Sequence, residues 1–553
     1  MYLIFYFPIK GFLSSDLLNG SLFMDFYSEI IELILSKKIQ GKEELHKAKI
    51  RLCKKYSISV IPPDSKILAR LPDDFSDEQK EYATSLLRKK ATRSISGVAV
   101  VAVMTSPAEC PHGLCIPCPG GPSAGTPQSY TGHEPAALRA SLNDFDPFLQ
   151  TRNRIEQLKA IGHPVDKIDF IIMGGTFTAR DPFYQDWFVK RCFDGLNNKN
   201  SKNLSEAQKI NETAKTRCIG LTVETRPDWF RLRHCDLSLS WGATRVELGV
   251  QTVYDDILSK INRGHTVTDS ILATRIAKDA GLKVTYHMMP NLLDSSIERD
   301  KKAFKMLFKN DCFKPDGLKI YPTLVTKGTR LYEMLEKNEY RPYSQENVIE
   351  LISGVKKIIP KWVRIQRVQR DIPSNLIISG VKNSNLRQII HKNLQNKSFK
   401  CRCIRCREVG HVKLKRNIEP NIDNIKLLTE KYFASDGEEI FFSYEDTKQD
   451  ILIAFLRLRY PSEKAYRSEI TEKNAMIVRE LHVYGPMNPL NKKIKNGWQH
   501  KGYGKQLLKI AEKTAGERYD AKKIVIISGV GVKNYYYKNG YKRDGPYVSK
   551  ILN

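Results

Sequence analysis

The feature that most constrains the fold is a series of six β-rich segments, each followed by a stretch with helical spacing of apolar residues. The segments end, in chain order, at Thr105, Met173, Thr225, Thr252, Pro290 and Pro322. Strands that alternate with helices form parallel sheets, because a crossover helix returns the chain to the same end of the sheet. We therefore predict an α/β fold built on a partial (β/α)6 barrel. Functional side chains are expected where the strands end, since the loops there converge on one face.

The segments on either side of this series have different patterns. The N-terminal residues have helical spacing with Lys and Arg among apolar positions, which predicts a small basic helical module. Beyond residue 415 the strands look antiparallel, and a glycine turn, a helix and a further strand follow, which predicts a separate α+β domain. Since one core rarely grows to 553 residues, we expect four parts: residues 1–90, 91–380, a linker at 381–415, and 416–553.

The first residues, MYLIFYFPIKGFL, form an apolar run that is shorter than the roughly 20 residues of a membrane span. They also lack the basic start of an export signal. We therefore expect no membrane anchor and a cytoplasmic location. The helical pattern begins just after Met24, so translation could start at either Met1 or Met24.

The chain carries 90 Lys and Arg against 61 Asp and Glu, a formal net charge of +29. This surplus favours a polyanionic partner, such as nucleic acid or an acidic membrane, although solubility alone is an alternative. In the N-terminal module, Lys47, Lys49 and Arg51 are candidates for phosphate contacts. The 11 cysteines are an odd number, and six of them fall into two tight groups. That pattern favours metal sites in a reducing compartment over disulfides.

The first group, Cys110, Cys115 and Cys118, lies in the glycine- and proline-rich stretch ECPHGLCIPCPGG after the first β-rich segment. Three thiolates suit an iron–sulfur cluster that keeps one iron open, whereas a closed structural site takes four ligands. The alternative is a zinc site that uses His112 or His133 as its fourth ligand. We favour the cluster because the loop follows a predicted barrel strand.

Other candidates follow the second and third β-rich segments. Gly174 and Gly175 would let backbone groups approach a ligand directly. Glu224 could hold ribose hydroxyls, and Arg226 could hold a carboxylate or phosphate. Either charged residue could instead belong to a buried ion pair, and the sequence does not choose between these roles.

The second group, Cys401, Cys403 and Cys406, is spaced closely enough for three ligands on one metal ion. His391 or His411 could supply the fourth ligand of a tetrahedral zinc site, and unligated thiols are the alternative. Arginines interleave with these cysteines, at Arg402, Arg405 and Arg407, and could contact a phosphate backbone.

A glycine turn precedes the helix of the C-terminal domain, in the stretch Gln499-His500-Lys501-Gly502-Tyr503-Gly504. Exposed N–H groups and the helix dipole at such a position can receive a pyrophosphate. A turn without a ligand is the alternative. The β-rich segment before it and the helix after it favour coenzyme binding by Gln499, Gly502, Tyr503 and Gly504.

Many of these motifs together resemble one family, Elongator complex protein 3, the catalytic subunit of Elongator. The likeness covers nearly the whole chain after about Lys66. It rests on ECPHGLCIPCPGG, QSYTGHEPAALRA, MGGTF, TVETRPDW, RVELGVQTVYDDIL, KIYPTLVTKGTRLYE, RIQRVQRDIPS, SNLRQ, CRCIRCREVG, RELHVYGP, QHKGYGKQLL and SGVGVKNYYYKNGY.

The resemblance implies a radical S-adenosylmethionine (SAM) barrel joined to an acetyl-CoA-binding domain of the Gcn5-related acetyltransferase (GNAT) type. It implies that Cys110, Cys115 and Cys118 ligate a [4Fe-4S] cluster whose open iron takes SAM. It also implies that acetyl-CoA contacts Lys167, lies along Glu480, Leu481, His482 and Val483, and is closed over by Tyr535 and Tyr536. From this likeness we take Lys167, Glu480, Tyr535 and Tyr536 as catalytic candidates, although aromatic packing is an alternative for both tyrosines.

The implied reaction modifies the wobble uridine of tRNA. A radical derived from SAM would activate acetyl-CoA, whose two-carbon unit would become a carboxymethyl group on C5. The implied partners are the tRNA anticodon stem-loop, an external electron donor, and either a second copy or other Elongator subunits. The main rival is a protein lysine acetyltransferase with a structural cluster. Two departures from the family pattern, Pro117 and the segment 291–293 (Asn-Leu-Leu), could alter the fit of SAM.

Overall fold

The computed structural model describes residues 25–485, 498–499 and 501–552. Met24 and His500, and with them the choice of start residue, lie outside these ranges. The described residues form two compact units. The first contains the residues up to Lys89 together with Ala160–Gly162, and the second contains Lys90–Lys159 and the chain from His163 onward. Across the described ranges, no helix combines the length and apolarity needed to cross a membrane.

The first unit is helical, as predicted. Its helices are α1 (Phe26–Leu35), α2 (Lys42–Lys55), α3 (Asp64–Leu68) and α4 (Asp77–Leu87). The Asp25 carboxylate caps α1, and Ser76 and Gln79 form a capping box at the start of α4. The apolar faces of these helices pack into a core of their own.

The expectation that Lys47, Lys49 and Arg51 together face a phosphate backbone is wrong for Lys49. Its Nζ lies 2.9 Å from the Asp64 carboxylate, and its side chain is only 8% exposed. Lys47 is exposed but pairs with Glu43 one helical turn away. The α2 periodicity turns Lys49 inward with Leu45 and Leu52, so it serves as an internal ion pair.

The second unit opens with a sheet of seven parallel strands in the order β1-β2-β3-β4-β5-β6-β8. This confirms the predicted α/β half-barrel. The strands of this region are β1 (Ala99–Met104), β2 (Lys167–Met173), β3 (Arg217–Thr225), β4 (Arg245–Gln251), β5 (Lys283–Met288), β6 (Gly317–Ile320), β7 (Val325–Thr326), β8 (Arg364–Val368) and β9 (Ile377–Ser379). The short strands β7 and β9 pair separately.

Six strands were predicted, and the sheet has a seventh, β8. Its sequence, RIQRV, mixes charged and apolar residues, so it lacks the continuous apolar run that marks the other buried strands. The helices of this region are α5 (Pro135–Ser141), α6 (Pro147–Ala160), α7 (Pro182–Asn197), α8 (Leu204–Asn211), α9 (Leu232–Ser240), α10 (Asp255–Lys260), α11 (Val267–Asp279), α12 (Ile297–Lys309), α13 (Arg330–Glu336), α14 (Gln345–Ile358) and α15 (Leu386–Asn396).

The C-terminal region has a second seven-stranded sheet, as expected for an α+β domain, with the order β10-β11-β12-β13-β14-β16-β15. Among the described strands of this sheet, only β13 and β14 pair in parallel. Its elements are α16 (Ile404–Arg407), α17 (Val409–Arg416), β10 (Ile425–Ala434), β11 (Gly437–Asp446), β12 (Ile451–Tyr460), α18 (Ser468–Thr471), β13 (Ala475–Val483), α19 (Tyr503–Tyr519), β14 (Lys523–Ile526), α20 (Lys533–Tyr537), β15 (Lys542–Asp544) and β16 (Tyr547–Ile551).

Buried ion pairs connect the half-barrel to the C-terminal sheet. Asp316, one residue before β6, accepts a hydrogen bond of 3.0 Å from Arg479 of β13. On α11, Lys278 lies 3.4 Å from Glu439 of β11, and Asp279 lies 2.7 Å from Arg459 of β12. These three pairs form the charge-pair interface between the two sheets. Burial by itself would raise the pKa of Asp316, but Arg479 and Lys278 hold it well below its ordinary value.

The substitution Asp316→Asn should lower the free energy of unfolding by about 3–5 kcal/mol, because it removes the counter-charge of buried cations. Calorimetric or denaturant unfolding measures the change. Asp256→Asn is the matched control, since Asp256 pairs with Arg299 at the surface and should contribute less than about 1 kcal/mol. Equal effects of the two substitutions would show that the charge-pair interface does not stabilise the fold.

Candidate active site

The first cysteine group, Cys110, Cys115 and Cys118, lies on the loop between β1 and α5. Hydrogen-bonded turns shape this loop, with the N–H of Gly113 donating to Cys110 O and the N–H of Cys118 donating to Cys115 O. The N–H of Ile116 donates to Ile261 O at 3.0 Å, which fixes the loop against the end of α10. The loop therefore holds its thiols at the carboxyl end of the parallel sheet.

Polar groups surround each of the three thiols. The Sγ of Cys115 lies 3.0 Å from His112 Nε2 and 3.6 Å from Arg263 Nη1. Gln128 Nε2 donates to the Sγ of Cys118 at 3.2 Å. Burial raises the pKa of the Cys110 and Cys115 thiols, so a bound cation is needed to favour their thiolate forms.

The spacing of these thiols fits a cluster better than a single ion. Within the described ranges, the only cysteine trio whose Sγ atoms all lie within 4.8 Å of one another is Cys401, Cys403 and Cys406. At least two of the Sγ atoms of Cys110, Cys115 and Cys118 lie more than 4.8 Å apart, which suits thiolates that each bind a different iron of one cluster. His133 is exposed, and neither it nor His112 completes a compact four-ligand set with these cysteines.

The two glycines after β2 have different environments. Both have positive φ, of +118° at Gly174 and +84° at Gly175. A Cβ on Gly174 would come within 2.2 Å of the Thr105 hydroxyl, so this position needs glycine for packing against the end of β1. Gly175 instead lines a cavity, and a Cβ there would lie 4.0 Å from the Sγ of Cys110.

Glu224 belongs to a buried ion-pair cluster, one of the two alternatives that the sequence left open. Lys319 Nζ lies 2.8 Å from Glu224 and also contacts Glu247, which has His287 Nε2 at 2.9 Å and Arg245 Nε at 3.4 Å as further partners. The carboxylates and His287 are close enough to hold a metal ion, but the Lys319 ammonium already lies between the two carboxylates. Burial would raise the pKa of Glu247, but Lys319 and His287 reverse the shift and hold it low.

Sequence reasoning missed Glu247, His287 and Lys319. Each lies inside a β-rich segment, at a position that faces the interior of the half-barrel. A charged residue at an inward position of a buried strand is costly unless it is paired. That cost is the signal that could have identified them.

The guanidinium group of Arg226 has partners for some of its N–H donors and none for one of them among the described residues. Its Nε donates to Asp228 at 2.9 Å, and its Nη2 donates to Gly264 O at 3.0 Å. Its Nη1 is buried and has no hydrogen-bond partner among the described residues. Arg226 lines the same cavity as the cysteine loop, and a ligand carboxylate could pair with its unpartnered donor.

The predicted coenzyme residues converge at the start of α19. Lys167 Nζ donates to Gln499 Oε1 at 3.2 Å, and Gln499 Nε2 donates to Val483 O at 3.3 Å. A Cβ on Gly504 would lie 3.1 Å from the Tyr535 hydroxyl and within van der Waals contact of Leu481 and Val483. Burial lowers the pKa of Lys167.

The aromatic candidates of this region separate into packed and accessible groups. Tyr503 packs against Tyr444, with ring centroids 5.0 Å apart, and Tyr536 is buried against Tyr541. Tyr535 is 38% exposed and lines the cavity. The His482 ring stacks on Tyr484 at 4.1 Å.

Glu480 is held in an ion pair, because its carboxylate accepts from Arg457 Nε at 2.9 Å. Burial would raise the pKa of Glu480, but Lys283 and Arg457 lower it. A carboxylate held in this way is a weak base, so this geometry favours a structural role for Glu480 over proton abstraction.

One cavity of about 1380 Å³ joins the two sets of candidates. We call it the central cavity. Its wall includes the three cysteines of the loop, the β3 end and the coenzyme region. The predicted site residues on it are Cys110, Cys115, Cys118, Lys167, Gly175, Glu224, Arg226, Glu480, Leu481, His482, Val483, Gln499, Gly502, Gly504, Tyr535 and Tyr536. The cavity places the cysteine loop and the coenzyme turn around a common volume.

The second cysteine group is compact. The Sγ atoms of Cys401, Cys403 and Cys406 lie within 4.8 Å of one another, and His391 Nε2 lies 3.6 Å from the Cys406 Sγ. His411 instead has its Nε2 3.1 Å from the Glu408 carboxylate. This geometry favours His391 as the fourth ligand of a tetrahedral ion.

The hypothesis that all three interleaved arginines contact phosphate is wrong for Arg407. Its side chain is 2% exposed, and it pairs with Glu445 and with Asp450. Arg402 is exposed, and Arg405 lines the central cavity.

The two departures from the family pattern have different surroundings. Pro117 lines the central cavity beside the cysteines. In the segment 291–293, Leu292 and Leu293 are buried in an apolar cluster with Ile116. Asn291 accepts from the N–H of Tyr343 at 2.7 Å. This segment packs against the cysteine loop at Ile116 and does not line the cavity.

Comparisons with known proteins agree with this architecture. The pattern of the Radical SAM superfamily matches residues 108–307, that of the Radical SAM C-terminal domain matches 315–396, and that of the ELP3 N-terminal domain matches 23–95. The tRNA uridine(34) acetyltransferase of Methanocaldococcus jannaschii is 54% identical over 533 residues, which is 95% of this chain and 97% of that protein. Elongator complex protein 3 of Homo sapiens is 43% identical over 97% of this chain and 98% of its own length.

A solved structure gives the same result for the fold. The archaeal Methanocaldococcus infernus Elp3 with an N-terminal deletion (1–46) superposes with a TM-score of 0.74 at 53% identity. The match covers 83% of this chain and 100% of that chain.

The substitution Lys319→Met should destabilise the protein most at about pH 7 and progressively less toward about pH 4. The folded-state pKa of Glu247 is depressed, so its stabilising effect is present above the ordinary pKa and is lost only as pH falls through the depressed value. Without Lys319 the buried Glu247 carboxylate takes up its proton at higher pH, so the loss of stability in the variant becomes smaller as pH falls. Unfolding free energies across this range measure the difference.

Lys301→Met on the exposed face of α12 is the control, and its stability should follow that of the wild type at every pH. A stability loss in Lys319→Met that does not depend on pH would contradict the assignment of Lys319 as the counter-charge.

Proposed function

Because this chain belongs to the Elongator complex protein 3 family, we propose that it is a transferase that modifies uridine 34, the wobble uridine of tRNA. Its M. jannaschii relative is named for acetyl transfer to that uridine. The single observation that carries the proposal for this chain is the central cavity, whose wall holds both the cysteine loop and the coenzyme turn. A radical source and an acyl donor could therefore meet there without leaving the protein.

The product we propose is a carboxymethyl group on C5 of the uridine. When bound, a [4Fe-4S] cluster and SAM supply the radical chemistry, and acetyl-CoA supplies the two-carbon unit. The protein positions these groups and excludes water from them.

Cys110, Cys115 and Cys118 are the proposed ligands of the cluster. Their separation, their polar neighbours and the nearby Gly175 backbone support this role. Arg226 would bind the carboxylate of SAM through its unpartnered Nη1. The Glu224 carboxylate is paired with Lys319, so any contact it makes with SAM would be made as part of the ion-pair cluster.

Acetyl-CoA is proposed to lie along β13 and the start of α19. Lys167 and Gln499 would hold a polar part of the coenzyme, since their side chains already meet at 3.2 Å. The helix begins at Tyr503, after Gly502 with φ of +90°, and no side chain of the described residues caps it, so its first N–H groups are available for a phosphate. Tyr535 is the accessible aromatic residue that could cover the thioester.

The tRNA anticodon stem-loop is the proposed substrate, because the bases of a single-stranded loop can be splayed into a cavity without melting a duplex. The net charge of +29 supports a polyanionic partner. An external electron donor, and either a second copy or other Elongator subunits, are proposed partners. The four-part division at residues 90, 380 and 415 is likewise proposed.

Zinc is the proposed ion of the second cysteine group, with Cys401, Cys403, Cys406 and His391 as ligands. The compact trio supports a single ion. Lys356 Nζ, which lies 3.4 Å from the Cys401 Sγ, would offset the charge of three thiolates. The ion would fasten α15 to α16 beneath the cavity wall.

The substitution Cys115→Ala should reduce formation of modified uridine by more than about 100-fold, since losing even an outer partner of a metal site costs about 10–100-fold. The enzyme is reconstituted anaerobically with iron, sulfide, SAM, acetyl-CoA and a reductant, and the tRNA nucleosides are analysed by mass spectrometry. Cys312→Ala is the matched control, because Cys312 lies in neither cysteine group.

Unmodified uridine from the fully reconstituted wild type would refute the proposal. Isotope-labelled acetyl-CoA adds a second readout, because label on a protein lysine that is unaffected by Cys115→Ala would assign the chain to lysine acetylation.

The substitution Cys403→Ser should remove about one zinc ion per chain while the iron content stays unchanged, since metal affinity depends on the full ligand set. Elemental analysis of purified protein measures both metals. Cys53→Ser, at a buried cysteine of the first unit, is the control. Zinc that is retained by Cys403→Ser, or absent from the wild type, would contradict the zinc assignment.

A further inference from the structure

Strand β10 forms one edge of the C-terminal sheet along its whole length. It pairs with β11 on one side, and each of its residues from Ile425 to Ala434 has a partner there. On its other side, no strand of the described ranges lies next to it. Within those ranges, the backbone N–H and C=O groups of residues 425–433 form hydrogen bonds only in the ladder with β11. The groups that point away from β11 are therefore free to pair with another strand.

β10 lacks several features that commonly protect an edge strand. Such strands are often short, interrupted by a bulge or a proline, or covered by another element. β10 contains no proline, and its register with β11 has no shift. The opposite edge of the same sheet, β15, is only three residues long. Apolar side chains are also exposed along β10, since Leu427 is 39% exposed and Phe433 is 63% exposed. This edge is therefore suited to strand pairing.

Two charged residues of β10 are arranged symmetrically about Leu428. Lys426 and Glu430 lie two residues before it and two residues after it, so the three side chains point to the same face of the strand. Both charged residues are exposed, and neither forms an ion pair within the described ranges. The remaining charged residue of the strand, Lys431, lies 3.5 Å from Glu438 and already has a counter-charge. The unpaired charges of β10 are therefore one cation and one anion at equal distances from Leu428.

We propose that β10 pairs in antiparallel orientation with β10 of a second copy of this chain, with the two-fold axis at Leu428. In such a pair Leu428 faces Leu428 of the partner subunit. Lys426 faces Glu430 of the partner subunit, and the symmetry forms this charge pair twice. Main-chain hydrogen bonds between the edges would join the two C-terminal sheets into one continuous sheet. Opposite charges that face each other across two strands stabilise the pairing.

The charge pattern selects this register over its neighbours. An axis at Glu430 or at Lys426 would place two like charges opposite each other, which is unfavourable. An axis at Thr429 would place each Glu430 carboxylate opposite an apolar Leu428. Among the symmetric registers, only the one centred on Leu428 forms charge pairs between residues of the two β10 strands. The charges that could keep other strands away therefore attract a second copy.

The pairing would extend over residues 424–432 of both copies. A stable contact between subunits usually buries about 1,200–2,000 Å² in total, which is more than two paired strands alone provide. The exposed side chains of Leu427 and Phe433, and of Ile422 just before the strand, would add apolar area beside the edge. The inference does not depend on the proposed reaction, because no described residue of β10 lines the central cavity.

The mass of the full chain in solution, measured by light scattering and by sedimentation over a range of protein concentrations, tests the pairing. We expect the wild type to form a dimer of twice 63.4 kDa. Lys426→Glu should raise the dissociation constant of the dimer by about tenfold or more, because both charge pairs become repulsive. The double variant Lys426→Glu, Glu430→Lys exchanges the charges and should restore the dimer. Lys473→Glu is the matched control, since Lys473 is exposed and lies outside the strands.

A cysteine cross-link tests the register. Leu428→Cys should form a disulfide between subunits under mild oxidation, because each position 428 faces its own copy across the axis. Mass spectrometry of the digested dimer identifies peptides that are joined at position 428. Thr429→Cys is the control, because position 429 would face Leu427 of the partner subunit and should cross-link much less.

A wild-type chain that stays monomeric at every concentration would overturn the inference. So would a dimer whose dissociation constant is unchanged in Lys426→Glu, because another surface would then hold the two copies together. A dimer that cross-links through Thr429→Cys and not through Leu428→Cys would overturn the register on which the charge argument rests. Thermal unfolding midpoints show whether each variant is folded, and recovery of the dimer in the charge-exchanged variant separates loss of pairing from loss of fold. None of these measurements uses tRNA or acetyl-CoA, so failure of the proposed function would not change them.

Discussion

Asp316 lies between Arg479 of the C-terminal sheet and Lys278 of the half-barrel, in an interior that excludes water. If the two sheets moved apart slightly without admitting water, each of these charges would lose its counter-charge. Its burial would then cost free energy that the ion pair now offsets. The pairs of Asp279 with Arg459 and of Lys278 with Glu439 add directional contacts beside it. An apolar core continues across the same boundary, from Leu282 to Ile477 and Val525. The two sheets are therefore fixed in orientation as well as held in contact, and the central cavity depends on that orientation.

The charged groups of the central cavity divide by whether they have a partner. Lys319 is buried between Glu224 and Glu247, so its ammonium offsets part of the negative charge of these carboxylates inside the half-barrel. Arg226 retains one buried N–H group that has no hydrogen-bond partner among the described residues. Unpaired donors in a confined volume favour anionic ligands. The distribution of unpaired charge, more than the net charge of the chain, indicates where ligands would bind.

Close backbone contacts also define the site. A Cβ on Gly529 would come within 2.2 Å of the Ile219 carbonyl oxygen, and one on Gly531 within 2.4 Å of the Arg217 Cβ. These glycines let the segment before α20 pack directly against β3. Tyr535, two residues after the start of α20, is consequently held at the wall of the cavity. The close contact of Gly529 and Gly531 with β3 thus helps to place an aromatic side chain on the wall of the cavity that the cysteine loop also lines.

The amino-acid sequence by itself determined the alternation of six strands with helices, the two cysteine groups and the glycine turn before α19, because these are local patterns. It did not reveal β8, whose mixed RIQRV sequence hides a buried strand, or the roles of Glu247, His287 and Lys319. It also suggested phosphate contacts for Lys49 and Arg407, which the folded chain uses as internal ion pairs. Whether a charged side chain faces solvent, a ligand or a counter-charge depends on residues far away in sequence, such as Glu224 and Lys319. Only the tertiary structure decides those pairings, because the free energy of a charge is set by its burial and by the groups that surround it.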